Sequence, residues 1–213
     1  MKGIILKDLY DNFCIPKNLA AYILGFLVIP FGFILPSAYY YTLIAGMILP
    51  MLGGCALEYP TEQEEASNFN KLLITFPVSK AQIVTAKYLL GLGFVLVCDF
   101  LSLLCSMVQV YIHHTIRLAE ALRIWAMGVS ISLIFLSVIY VGYFLLGKRW
   151  GSIFFIITIC LFSFGWGLSS VLVGIEALFN LSYGLVFCLI LAGAVIMTLS
   201  CLASIRIYSR KYS

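Results

Sequence analysis

The longest uncharged stretch of the sequence runs from residue 18 to residue 57 and contains no Asp, Glu, Lys or Arg. As a single helix it would extend about 60 Å, twice the ~30 Å thickness of the hydrocarbon core of a bilayer. The stretch must therefore fold back on itself. Pro36-Ser37 is the expected turn, because proline ends a helix and disfavours helical backbone in the residue before it.

The composition extends this constraint to the whole chain. Of the 213 residues, 63% are hydrophobic and 10% are charged, whereas about 25% of the residues in a soluble domain are charged. This composition excludes a soluble fold, because a soluble fold must present a polar exterior to water. The sequence therefore predicts an all-α integral membrane protein with one transmembrane domain over residues 1–213.

Hydropathy divides this domain into apolar segments separated by short polar breaks. Each segment is long enough to cross the hydrocarbon core as a helix. An even number of crossings places both termini on the same side of the membrane. The six predicted spans are approximately residues 18–35, 38–57, 82–111, 122–146, 151–173 and 182–205.

The placement of basic residues gives these spans an orientation. Arg117 and Arg123 fall on one side, and the other eleven Lys and Arg residues fall on the opposite side. Cytoplasmic loops carry an excess of Lys and Arg, so the richer side is predicted to be cytoplasmic, together with both termini. The residues on this side are Lys2, Lys7, Lys17, Lys71, Lys80, Lys87, Lys148, Arg149, Arg206, Arg210 and Lys211.

Residues 58–87 form the main polar insertion, with seven charged side chains in a chain that otherwise avoids them. Each would cost about 2.5–3.5 kcal/mol at the bilayer centre, so the segment is not a span. Thr61, three residues before Glu64, matches a helix capping box. Glu62, Glu64 and Glu65 in the first turn would stabilise the helix dipole.

The helix predicted over residues 61–76 is amphipathic. Pro77 ends it, and Ser79 with Gln82 forms a second capping box that opens a helix continuing into the third span. The apolar face either rests on the membrane surface or fits a groove of a partner protein. Anionic headgroups would repel the acids, which favours a protein partner. This apolar face is formed at helical spacing by Phe69, Leu72, Leu73 and Phe76.

The segment NKLLITFPVSKAQIVTAKYLL, residues 70–90, resembles the cytoplasmic loop of small type-2 ABC exporter permeases. In that family a glutamate-rich helix precedes the third span. The opening MKGIILKDLY resembles their N-terminal interfacial helix, which implies such a helix over residues 1–17. The most similar subgroup is the bacterial permeases that export amphipathic peptides such as phenol-soluble modulins and lantibiotics. Phe76 stands where the family often has Leu before the proline.

The resemblance implies that residues 61–76 form a coupling helix docked on a separate cytoplasmic ABC ATPase. That partner would hold ATP and Mg²⁺, and this chain would need no cofactor. It also implies a second permease subunit, identical or homologous, and a location in the bacterial plasma membrane. The substrate would be amphipathic or hydrophobic, and a peptide by family likeness. The ATPase-coupling residues would be Glu62, Glu64, Glu65, Phe69, Leu72, Leu73 and Phe76.

Two acids outside the insertion are candidates for a role in the substrate path. Asp99 lies deep in the third span, where a carboxyl group requires a partner or a proton. It could contact substrate or relay protons, or it could make a structural hydrogen bond to Ser130 or Ser132. Glu176 lies in the last outer turn and is either solvated or part of a gate.

Other motifs argue against chemistry in this chain. Residues 142–148 match G-x-x-x-x-G-K, but Arg149 follows where a nucleotide site needs Ser or Thr for Mg²⁺. His113 and His114 are adjacent and point in different directions on a helix, so no metal site is expected. Hydrolase motifs and signals for nucleic-acid binding are missing.

Three functions remain open from the residues alone. The first is the permease subunit of an ATP-driven exporter. The second is an ion- or proton-coupled carrier that uses Asp99. The third is a membrane-embedded immunity or regulatory protein that binds its ligand without transport.

Overall fold

The computed structural model describes residues 2–67, 78–172, 174 and 181–211. Every regular element in these residues is helical, which confirms the all-helical prediction for this part of the chain. A π-helical turn (Ile44–Ile48) and a 3₁₀ turn (Gly54–Leu57) connect α4, α5 and α6. The helices are α1 (Lys2–Phe13), α2 (Pro16–Phe26), α3 (Val28–Ile34), α4 (Ala38–Leu43), α5 (Leu49–Gly53), α6 (Glu58–Ala66), α7 (Lys80–Tyr111), α8 (Leu118–Leu172) and α9 (Tyr183–Lys211).

The N-terminal elements divide as their prolines dictate. Helix α1 ends at Phe13 rather than near residue 17, and Pro16 opens α2 at a position that tolerates the missing N–H. Pro30 cannot donate to the carbonyl of Phe26, and the helix is interrupted between α2 and α3. Helix α3 ends at Ile34 and α4 begins at Ala38, which confirms the predicted turn around Pro36.

The second apolar segment continues past its predicted end. From Ala38 it remains helical to Ala66, through the π-helical turn that precedes Pro50 and the 3₁₀ turn at Gly54. The capping box predicted at Thr61 is wrong, because Thr61 lies inside α6 and its Oγ1 donates to the carbonyl of Leu57 at 2.7 Å. The predicted helix over 61–76 therefore begins within α6, and its residues 68–77 lie outside the described residues.

The second capping box is confirmed at the start of α7. The Ser79 hydroxyl accepts from the backbone N–H of Gln82 at 3.3 Å, and the Ser79 N–H donates to Oε1 of Gln82 at 3.2 Å. Two N–H groups that the first turn leaves unpaired are thereby satisfied. Helix α7 starts from this cap and runs without interruption to Tyr111.

Helix α8 folds back on itself at Gly147. Gly147 has φ 76° and ψ −173°, outside the helical region. The rings of Phe135 and Phe162 lie 5.5 Å apart between centroids, whereas a straight helix would separate these residues by about 40 Å. The predicted spans 122–146 and 151–173 are the two arms of this hairpin, and residue 173 lies outside the described residues.

By length and hydropathy, five helices of the described residues are able to cross a membrane. Their order of burial shows the arrangement. In the most apolar window of Ala38–Ala66, 67% of the residues are buried, against 17% in Pro16–Ile34 and in Tyr183–Lys211. The segment Ala38–Ala66 is therefore central, and the segments Pro16–Ile34 and Tyr183–Lys211 lie at the periphery. The remaining two candidates are Lys80–Tyr111 and Leu118–Leu172, which contains the hairpin.

The core forms where α5 and the 3₁₀ turn that follows it meet α7 and α8. A Cβ atom at Gly53 would lie 2.8 Å from Cα of Val95, and one at Gly54 would lie 2.6 Å from the ring of Phe135. Any larger side chain at these positions would push the helices apart. The Gly53–Gly54 pair thus lets three helices approach closely at the end where α6 begins.

The turn at Gly147 generates the first prediction. A side chain at φ 76° and ψ −173° is strained, at a cost of about 1–3 kcal/mol. We expect Gly147→Ala to lower the free energy of unfolding by that amount, measured by thermal denaturation in detergent. Gly167→Ala is the matched control, since this glycine is exposed within the helix with open space around it and should gain about 0.5–1 kcal/mol. Equal stability of the two variants would contradict the hairpin turn.

Candidate functional site

Helix α1 lies with its charged face toward the protein and its apolar face outward. Asp8 and Asn12 are fully buried, whereas Leu6 and Tyr10 are 70% and 60% exposed. Nδ2 of Asn12 donates to the carbonyl of Ala56 at 3.2 Å, which attaches α1 to the 3₁₀ turn that precedes α6. This orientation suits a helix whose outer side meets lipid and whose polar groups must be satisfied inside the protein.

Glu64 on α6 is the centre of a buried ionic cluster. Its Oε1 accepts from Nζ of Lys7 at 2.8 Å and from Nζ of Lys87 at 2.7 Å. Nζ of Lys87 also lies 3.6 Å from Oδ2 of Asp8, and Nζ of Lys7 lies 3.0 Å from Oδ2 of Asp11. We call these five residues the Glu64 cluster. It joins α1, α6 and α7 at one point.

Burial and charge act against each other at the α1 members of the cluster. Burial raises the pKa of Asp8 above its ordinary value, although the ammonium group of Lys87 acts in the opposite direction. Burial lowers the pKa of Lys7, but the carboxylates of Glu64 and Asp8 outweigh it and leave that pKa raised. Lys7 is therefore held in its charged form, as required of a cation that pairs with three carboxylates.

The other acids of α6 contact the turn at Gly147. The backbone N–H of Lys148 donates to Oε1 of Glu65 at 2.8 Å. It is the first N–H of the second arm of α8, where helix geometry leaves donors unpaired. Nζ of Lys148 lies 3.7 Å from Oε1 of Glu58 and 3.6 Å from Oε2 of Glu62. Glu62 also pairs with Lys17 at 3.0 Å.

Helix α6 is thus attached on several sides by charged contacts. Glu64 connects it to α1 and α7, and Glu58, Glu62 and Glu65 connect it to the hairpin of α8. A displacement of α6 would be carried to three other helices.

The predicted coupling residues fall into two sets. Glu62, Glu64 and Glu65 lie on α6 and are paired within the chain, and Glu64 is only 3% exposed. The apolar residues of the prediction, Phe69, Leu72, Leu73 and Phe76, lie outside the described residues, as does Glu176. The structure therefore brings the acids together and does not test their contact with a partner.

Asp99 lies twelve residues beyond Lys87 on α7, about 18 Å further along the helix. Oγ of Ser132 lies 3.1 Å from Oδ2 of Asp99, which is one of the alternatives considered for this residue, a hydrogen bond between the third and fourth predicted spans. Ser130, the other candidate, instead donates to the carbonyl of Ala126. Asp99 is thus separate from the Glu64 cluster.

An apolar groove of about 660 Å³ lies beside α1. It runs between α1, α2, α3 and α7. The rings of Phe13 and Phe94 stack at its edge with centroids 5.4 Å apart. Such a volume is typical of a small-molecule site. Its lining residues are Ile5, Leu9, Phe13, Phe26, Ile29, Leu89, Leu90, Gly93, Phe94, Val97, Cys98 and Leu101.

Nucleotide and metal sites find no support in the described part of the chain. Residues 142–146 are helical, and Lys148 pairs with acids of α6. No group of three His, Cys, Asp or Glu among the described residues is placed to hold a metal ion. Nε2 of His113 lies 2.7 Å from the carbonyl of Phe33.

Sequence reasoning missed the partners of the acids. Asp8, Asp11 and Lys87 were not recognised as a site, although one signal was present. Lys7, Asp8 and Asp11 share one face of α1, opposite the apolar Leu6 and Tyr10. A helix end with opposite charges on one side and apolar residues on the other indicates that its polar side faces protein.

The family comparison agrees with this architecture. The model of the family described as ABC-2 family transporter protein matches residues 3–209 of the chain. Comparison with characterised proteins and with solved structures gave no significant match.

The Glu64 cluster generates the second prediction. Lys87 has 5% of its side chain exposed, and its removal would leave Glu64 and Asp8 short of a buried counter-charge. We expect Lys87→Met to lower the free energy of unfolding by about 3–5 kcal/mol, the cost of breaking a buried ion pair. The measurement is thermal unfolding of the purified protein in detergent.

The matched control is Lys17→Met, because Lys17 also pairs with an acid of α6 but has 76% of its side chain exposed. An exposed pair contributes about 0–1 kcal/mol, so this variant should be nearly as stable as the wild type. Adding Glu64→Gln to Lys87→Met should restore part of the loss. Similar small losses in both lysine variants would show that the cluster does not hold the helices together.

Proposed function

The chain belongs to the ABC-2 family of transporter membrane proteins, and from this premise we propose that it couples a separate cytoplasmic ATPase to export. Members of the family are the permease subunits of ABC transporters, which supports a transport role for this chain and agrees with ATP hydrolysis in a separate subunit. ATP and Mg²⁺ would be bound by the ATPase. The substrate would cross the membrane without covalent change.

The observation that carries the proposal is the position of Glu64. Oε1 of Glu64 lies within 2.8 Å of Nζ of two lysines, one on α1 and one on α7. The segment that follows α6 would bear the surface for the ATPase, and α6 would be its connection to the membrane helices. Force applied there would reach α7 through Lys87 as a rigid-body displacement rather than being lost in a flexible loop.

For two acids of α6 we propose a positioning role within the predicted coupling function. Glu64 is buried and Glu65 supports the turn at Gly147, so we assign both to positioning the coupling segment. Direct contact with the ATPase is assigned to the apolar residues Phe69, Leu72, Leu73 and Phe76. Their spacing on a helix is typical of segments that insert into a hydrophobic groove.

We further propose six membrane crossings with both termini in the cytoplasm, in which the hairpin of α8 supplies two crossings. Contacts at opposite ends of the helices support this topology. Nζ of Lys80 donates to the carbonyl of Ser209, so the start of α7 and the end of α9 lie at one end. The guanidinium of Arg123 lies 4.4 Å from the ring centroid of Tyr183, so the starts of α8 and α9 lie at the other. The lysine-rich end would be cytoplasmic.

The transporter would contain a second permease subunit, identical or homologous, in the bacterial plasma membrane. The peripheral segment Pro16–Ile34, which comprises α2 and α3, and helix α9 provide apolar surface for a subunit contact or for lipid. The apolar groove supports an amphipathic or hydrophobic substrate. A peptide substrate rests on likeness to exporters of phenol-soluble modulins and lantibiotics.

The coupling role is tested by Phe69→Asp. A charge in the apolar face of the segment would block insertion into a hydrophobic groove. We expect the variant to insert into the membrane at wild-type levels but to lose co-purification of an ABC ATPase from membranes of the native cell, measured by mass spectrometry. Phe69→Leu keeps the surface apolar and should retain the ATPase. Undiminished recovery with Phe69→Asp would remove this residue from the coupling surface.

The energy source separates the exporter from a carrier that uses Asp99. Substrate efflux from loaded cells should stop when ATP is depleted and should continue in Asp99→Asn at more than half of the wild-type rate. A carrier would give the reverse pattern, with efflux abolished by Asp99→Asn and independent of ATP. An immunity protein without transport would protect cells even beside an ATPase that cannot hydrolyse ATP.

A further inference from the structure

Asp99 is a buried carboxyl group at the interface between α7 and the first arm of α8. The residue is 5% exposed and Ser132 is fully buried. Nε1 of Trp125 donates to the backbone carbonyl of Asp99 at 2.8 Å. Trp125 and Ser132 are two turns apart on α8, so one face of that helix supplies both contacts to Asp99.

The hydroxyl of Ser132 has two acceptors and one hydrogen. Its Oγ lies 2.8 Å from the carbonyl of Val129 and 3.1 Å from Oδ2 of Asp99. A serine hydroxyl carries a single hydrogen and two lone pairs. If that hydrogen points to Val129, as the shorter distance favours, a second hydrogen must lie between Ser132 and Asp99. The carboxyl group of Asp99 is the group among the described residues that is placed to supply it.

The second carboxyl oxygen leads to the same conclusion. Oδ1 of Asp99 is buried and has no hydrogen-bond partner among the described residues. An unpaired oxygen of a carboxylate bears part of a full charge, and burying it is far more costly than burying the carbonyl oxygen of a neutral acid. A proton on Oδ2 leaves Oδ1 as such a carbonyl.

The described residues around Asp99 offer no counter-charge to an ionised carboxyl group. Within the described part of the chain, no Lys, Arg or His lies within 4.0 Å of its carboxyl group. Titratable groups on α7 and on elements that pack against it include Cys98, Tyr41 on α4 and Arg123 on α8. Tyr41 is hydrogen-bonded to Ser106, and Arg123 lies over the ring of Tyr183.

We propose that Asp99 is a proton-binding site within the membrane-spanning region, whose un-ionised carboxyl group donates its O–H to Oγ of Ser132. Each hydrogen of the group then has one acceptor: Asp99 O–H bonds Ser132, and Ser132 O–H bonds the carbonyl of Val129. The proton is taken up from water and no other species is consumed. This assignment rests on hydrogen-bond geometry and not on the export activity.

With the proton bound, the hydrogen bond between α7 and α8 joins two uncharged groups, the carboxyl group of Asp99 and the hydroxyl of Ser132. Ionisation of Asp99 would place a charge between two apolar helices and would leave Ser132 one hydrogen short. Separation of the helices with the proton in place instead leaves a neutral acid, which is tolerated near lipid far better than a carboxylate. The proton thus allows the interface to open without stranding a charge.

Infrared absorption of the purified protein in detergent at neutral pH tests the proposal. The difference spectrum between wild type and Asp99→Asn should contain one C=O stretching band of a protonated carboxyl group, above the amide I region. The band should be lost in the variant and move to lower frequency in D₂O. Asparagine is close in shape and its amide N–H can replace the donor to Ser132, so the variant should fold.

Two further variants make the assignment specific. Ser132→Ala removes the acceptor and should shift the band to higher frequency without abolishing it, which is measurable even if Asp99→Asn fails to fold. Glu120→Gln is the matched control, since the Glu120 carboxyl group accepts from the backbone N–H of Arg117 at 3.0 Å and should contribute nothing to the band. A carboxylate band lost in Asp99→Asn, or a C=O band unmoved by Ser132→Ala, would overturn the proposal.

Discussion

The pair between Lys87 and Glu64 is the contact on which the arrangement of this protein depends. Two oppositely charged groups that are both nearly inaccessible to water can persist only if each finds the other, and their separation of 2.7 Å satisfies that condition. Because Glu64 also accepts from Lys7, the pair fixes α1 against α6 and α7. The charged face of α1 is thereby paired inside the protein. Its apolar face remains exposed, which is the arrangement expected of a helix at a membrane interface.

The same requirement operates without charge deeper among the helices. Polar groups away from water bond across helix interfaces, where they act as specific contacts between otherwise featureless apolar surfaces. The hydroxyl of Tyr88 lies 2.6 Å from Oγ of Ser200, which in turn donates to the carbonyl of Ser137, so three helices meet through two hydrogen bonds. Nε2 of Gln109 donates to the carbonyl of Gly32, in the last turn of α3 where carbonyls lack intrahelical donors, and to the carbonyl of Leu35 just beyond that helix.

The parts of the fold that could be predicted were those set by local chemistry. Pro36 and the Ser79 capping box determine where helices end and begin, because their effects involve only neighbouring residues. The box at Thr61 failed for a complementary reason. The same pattern of residues occurs inside a helix when nothing upstream breaks it, and there the threonine hydroxyl bonds the preceding turn instead. Ser132 was one of two serines considered as a partner for Asp99, because the cost of a buried carboxyl group demands a partner. The Glu64 cluster was not predicted, since it joins residues 7, 64 and 87 and no local pattern reveals which helices will meet.

Helix α7 carries both polar attachments, and their chemistry differs in a way that matters for motion. Lys87, at the lysine-rich end of α7, is held by fully charged groups. Separating these groups without access to water costs several kcal/mol. Asp99, about 18 Å further along, is held to α8 by hydrogen bonds with no counter-charge. When α7 moves, the contact at Asp99 is expected to yield before the contact at Lys87, so α7 should remain with α6 and α1 while its Asp99 region tilts against α8. Rearrangement between α7 and α8 is therefore expected around Asp99 rather than at the Glu64 cluster, beside which Lys148 also attaches α8 to α6. That interface is also where a neutral acid can part from its partner at little cost.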